Sequence, residues 1–113
     1  MIPIPQPLKA KSAASDLKQR LDWGEPALTI IDVRDRAAFN NSHITGATSF
    51  PMDELVKRAL SNFELDRDIY VYGATEKETV LAVNRLSGAG YENVAELVGG
   101  LNAWKAAGYP VEG

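Results

Sequence analysis

Apolar residues in this chain fall into short dense runs divided by polar segments. Ala27-Leu28-Thr29-Ile30-Ile31-Asp32-Val33 is nearly continuous in apolarity and rich in β-branched side chains. It predicts a strand buried on both faces, as in a parallel sheet. Asp68 to Tyr72 and Val94 to Val98 predict two further strands, and Ala47 to Phe50 a brief one stopped by Pro51. Between these runs the spacing becomes helical. Ser12 or Ser15 can N-cap a helix through Asp16 to Leu21, and Gly24 can close it. Arg36 to Asn41 predicts a short helix. Asp53 to Leu60 predicts another, with Asp53 and Glu54 near its positive end and Lys57 and Arg58 towards the other. Thr79 to Leu86 is helical with Val80, Val83 and Leu86 on one side, and Leu101 to Ala107 is the last helix. Ala89-Gly90-Tyr91 and Ala107-Gly108-Tyr109 each place Gly just after a helix, where a left-handed residue satisfies the last carbonyls.

Strands alternating with helices through connections of a few residues predict an α/β domain around a mostly parallel sheet. Pro3, Pro5 and Pro7 alternate with Ile2, Ile4 and Gln6. That favours an extended arm over residues 1–9, lying along the domain or docking a partner. Residues 10–113 form the domain proper.

A chain of 113 residues fits one domain with a real core. The net charge of −3 offers nothing basic to follow a phosphate backbone, so nucleic-acid binding is not expected. The absence of Cys removes disulfides, thiolate metal sites and thiol nucleophiles together. With one His and no carboxylates in metal-ligand spacing, neither metal nor cofactor is implied. The start lacks the basic segment and long apolar stretch of a signal peptide, and no segment has the roughly 20 apolar residues that span a membrane. A cytoplasmic protein, monomeric and without membrane contacts, is the expectation.

Candidate chemistry concentrates between Ile69 and Thr79. A strand ends at Tyr72, a short polar loop follows, and a helix begins. In α/β proteins the C-terminal end of a strand and the N-terminal end of a helix usually hold the active site. Asp32 and Arg34 at the end of the first strand are an acid–cation pair, for a substrate or to tie down the strand end. His43 is a general base, a pH switch or a structural ring. Gly99-Gly100 before a helix is a phosphate cradle or a tight turn. Trp104 reads as a core anchor, and Trp23 as a modest candidate for a contact surface.

Three segments carry a resemblance: Asp32-Val33-Arg34, then His43-Ile44-Thr45-Gly46-Ala47, then Gly99-Gly100-Leu101-Asn102-Ala103-Trp104 with Ala107-Gly108-Tyr109-Pro110-Val111. In this order and spacing the chain resembles a single-domain rhodanese, the sulfurtransferase-homology fold, over about residues 10 to 111. The resemblance implies a mostly parallel sheet of about five strands with helices on both faces. It gives Asp32, Arg34, His43, Gly46, Gly99, Gly100 and Trp104 structural roles. It also implies a nucleophilic Cys directly after the central strand. That Cys takes sulfur from a sulfane donor as a persulfide, within a cradle of loop N–H groups and often beside a basic loop residue. The family loop often reads Cys-x-x-Gly-x-Arg-Ser.

Here the corresponding run is Gly73-Ala74-Thr75-Glu76-Lys77-Glu78-Thr79. Gly73 takes the Cys position, Glu76 the Gly and Glu78 the Arg, while Thr79 stands close to the Ser that caps the helix. Thr75 has no activating base nearby. Glu76 and Glu78 repel an anionic donor, each unit pair costing on the order of 1 kcal/mol at about 4 Å even in bulk water. Carboxylates in the first helical turn also occupy the dipole that would have held the anion. The expectation is a catalytically inactive rhodanese-like domain that binds a protein partner or regulates, with Glu76, Lys77 and Glu78 in the binding surface. The alternatives are a thiosulfate or persulfide sulfurtransferase, and a small-ligand sensor using a cavity left above Gly73.

Overall fold

The computed structural model describes residues 10–24 and 28–113. The expected Pro-rich arm over 1–9 lies outside the described residues. The elements in chain order are β1 (Lys11–Ser12), α1 (Ala14–Asp22), β2 (Leu28–Asp32), α2 (Arg36–Asn41), β3 (His43–Ile44), β4 (Thr48–Ser49), α3 (Leu55–Asn62), β5 (Asp68–Tyr72), α4 (Glu76–Gly88), β6 (Asn93–Leu97), α5 (Gly100–Ala106) and β7 (Val111–Glu112).

Five strands form one parallel sheet in the order β1-β6-β5-β2-β4, with β5 at its centre. The sheet is covered on both faces, as expected for parallel strands with continuous apolar runs. Ile30, Tyr70, Tyr72, Ala95 and Leu97 pack with Leu17 of α1 and with Leu101 and Trp104 of α5. Ile31, Val33, Ile69 and Val71 pack on the other face with Leu55 and Ala59 of α3 and with Ala82 and Leu86 of α4. The period of two within each strand sends alternate side chains to the two cores. A separate antiparallel pair joins β3 to β7. Among the described residues no helix is long and apolar enough to cross a membrane.

Four local expectations need correction. Neither Ser12 nor Ser15 caps α1. Ser12 is drawn into β1 opposite Leu97, Ala13 is the N-cap, and the Asp16 carboxylate accepts the Ala13 N–H at 2.9 Å. Helix α3 begins at Leu55 rather than Asp53, because Pro51 to Glu54 close a turn with Glu54 N–H donating to Pro51 O at 2.8 Å. Helix α4 begins at Glu76 rather than Thr79, because Thr75 is its cap. Its buried stripe is Thr79, Ala82 and Leu86, and Val80 is exposed.

Candidate functional site

The sheet order fixes where a cleft must open. From β5 the chain crosses through α4 to β6 on one side, and from β2 it proceeds to β4 on the other. Strand connections therefore diverge at the carboxyl ends of β2 and β5, and an α/β sheet leaves a crevice at such a point. A cleft of about 620 Å³ lies there. Val33 and Asp35 follow β2 in its lining, Pro51, Met52 and Asp53 follow β4, and Thr75, Lys77, Glu78 and Leu81 come from the loop and helix after β5. Glu76 is exposed and is not among the lining residues.

The loop from Gly73 to Thr79 is held by its own hydroxyls. Thr75 Oγ1 accepts the Glu78 N–H at 3.1 Å, which caps α4. Thr79 sits inside the helix, not at its cap. Its Oγ1 accepts the Gly73 N–H at 2.8 Å and donates to Thr75 O at 3.0 Å. The Gly73 N–H is thus bonded inward, and of the loop N–H groups that follow, those of Glu78 and Thr79 are taken by Thr75 Oγ1 and Thr75 O.

Gly73 is buried, and its φ lies outside the left-handed region, so the backbone does not require glycine there. What requires it is Glu78. A Cβ on Gly73 would lie 2.9 Å from Glu78 Cγ and 3.1 Å from both Glu78 Cβ and Cδ. The Glu78 side chain fills the space into which a side chain at position 73 would project. The small cavity expected above Gly73 is therefore occupied, and the open volume lies farther out, between α4 and the β2 and β4 loops.

Beneath the loop, on the opposite face of the sheet, is a buried polar pair. The Asp32 side chain is fully buried and takes Arg34 side on: Nε lies 3.0 and 3.1 Å from its two oxygens and Nη2 2.7 Å from Oδ2. The Arg34 N–H also donates to Asp32 Oδ1, and Nη2 donates to Ser42 O at 2.6 Å. Arg34 lies over the Tyr72 ring at 5.6 Å. The Tyr72 hydroxyl accepts the Ile44 N–H at 3.2 Å. Burial, and then the Asp32 carboxylate, push the Tyr72 phenol well above its ordinary range. The network joins the ends of β2 and β5 to the α2–β3 connection.

His43 stacks on Phe39 with ring centroids 3.7 Å apart, and its Nδ1 lies 2.7 Å from Phe39 O. That carbonyl makes Nδ1 the donor. His43 is not among the cleft residues. Gly46 has φ +89 in the turn from β3 to β4, where Ala47 N–H donates to Ile44 O at 2.9 Å. Gly99 and Gly100 both have positive φ, and a Cβ on Gly99 would lie 2.5 Å from Ala103 Cβ, so the pair forms a tight entry to α5. Trp104 is fully buried, donates Nε1–H to Pro110 O at 2.7 Å and meets Tyr109 edge-on. Trp23 is 70% exposed, away from the cleft lining. Among the described residues no group of three or more carboxylates and imidazoles is arranged to hold a metal ion.

Sequence reasoning missed Asp35, Asp53, Met52 and Leu81 as parts of one cleft. Asp35 caps α2 through Oδ1, accepting the Ala38 N–H at 2.8 Å. The segment 51–53 reaches the site because β4 pairs with β2, placing Ser49 beside Asp32. A switch point predicted from the strand order would have located both loops.

Comparison with known proteins agrees with this architecture. The rhodanese-like domain family matches residues 13–107. The crystal structure of the Alr3790 protein from Anabaena sp. superposes with a TM-score of 0.89 at 59% identity, covering 90% of this chain and 91% of that one. A sulfurtransferase of Allochromatium vinosum is 32% identical over 98 residues, 87% of this chain and 90% of that protein. The uncharacterized protein slr1261 of Synechocystis sp. is 35% identical over 86 residues, which are 76% of this chain and 48% of that protein. The chain thus spans about half the length of the first curated relatives it matches. It belongs to the rhodanese-like domain family, and its sequence contains no cysteine.

Proposed function

We propose that this chain is a non-catalytic rhodanese-like module that binds a protein partner at the cleft beside α4. One observation carries the reading: the Glu78 side chain stands where a side chain at position 73 would project. A sulfur-transfer site needs a soft nucleophile of lowered pKa among unspent donors with positive potential. This loop supplies a glycine, spends the Glu78 N–H on Thr75, and places an acidic residue, Glu78, against position 73. The names of sulfurtransferase relatives describe those proteins; their chemistry has no atom here on which to run.

A thiosulfate:cyanide assay tests the catalytic half. Thiocyanate formation equal to the blank is expected, and turnover by the Cys-free chain would overturn the reading. The binding half is tested by capture from native extract, with loss expected for Lys77→Ala and Glu78→Ala. Capture indifferent to both would move the interface elsewhere. The cleft volume favours a second reading, a small-molecule sensor, since about 300–1,000 Å³ is the usual size of a ligand pocket. A metabolite thermal-shift screen separates the two, because a ligand at a hundred times its dissociation constant stabilises by about 2.7 kcal/mol.

A further inference from the structure

We draw no further inference here: the strongest candidate, the exposed apolar patch that Leu21 and Trp23 leave at the C-terminal end of α1, carries nothing because nothing in the structure shows what covers it.

Discussion

Glu78 Cγ stands 2.9 Å from the point where a Cβ would extend from Gly73. The two residues form a matched pair across the first turn of α4: a glutamate folded inward, and a position that must carry no side chain to admit it. Gly73→Ala should therefore destabilise the domain by about 1–3 kcal/mol, the usual cost of overpacking. Glu78→Ala should relieve most of that cost. A double-mutant cycle by urea denaturation is expected to give a coupling of about 1 kcal/mol or more between the two sites. Additive effects would mean that the pair does not share the space.

Restoring the nucleophile alone should not restore chemistry. In Gly73→Cys the thiol meets Glu78, so thiocyanate production is expected to remain near the blank. Gly73→Cys combined with Glu78→Ala removes the crowding γ- and δ-carbons together with the negative charge, and should exceed the single variant by tenfold or more. Equal rates for the two would show that Glu78 does not govern the site.

The two loop hydroxyls should be separable. Thr75→Ala removes a helix cap and should cost about 1 kcal/mol. Thr79→Val keeps the shape but leaves the buried Gly73 N–H unpaired, which should cost about 1–3 kcal/mol. Amide exchange at Gly73 should rise in the second variant well before global unfolding.

Arg34→Ala should be the most damaging of these changes. It strands the fully buried Asp32 carboxylate and frees Ser42 O. Breaking a buried pair in this way costs about 3–5 kcal/mol. Thermal unfolding is the check, and a loss as small as that of an exposed ion pair would contradict the structural role given to Asp32 and Arg34.

Tyr72 gives a pH dependence with a definite sign. Burial raises its folded-state pKa above the ordinary tyrosine value of about 10. Above that pH the unfolded chain loses the phenolic proton while the folded chain keeps it. Stability should therefore be fully present below about pH 10 and fall as pH rises beyond it. Tyr70 and Tyr91 are raised in the same direction by burial and add to the slope. Tyr72→Phe should be less stable at neutral pH, having lost the acceptor for the Ile44 N–H, yet show a shallower alkaline decline in melts from pH 8 to 11.

Much of this was legible before any coordinates. The buried strands β2 and β5 and helix α2 have dense or capped patterns, and strand runs feeding helices located the loop after Tyr72. The two-residue strands β1, β3 and β7 carry no periodicity that a pattern can register, and they exist through pairing with distant partners. The start of α4 was missed because Thr75 caps it from inside a polar run. Its spacing to Glu78 is that of a capping box, which would have signalled the boundary. The fit of Glu78 against Gly73 depends on side-chain direction, which spacing alone does not contain. Asp53 and Met52 are separated from Glu78 by a helix and a strand, and β4 beside β2 is what brings them to the cleft.

The most direct measurement asks whether the protein can carry sulfur at all. The purified chain is incubated with thiosulfate, freed of small molecules, and weighed intact by mass spectrometry beside the Gly73→Cys, Glu78→Ala double variant. The account predicts an unchanged mass for the natural chain and a cyanide-labile gain of one sulfur atom for the double variant. A cyanide-labile sulfur on the natural chain would contradict it.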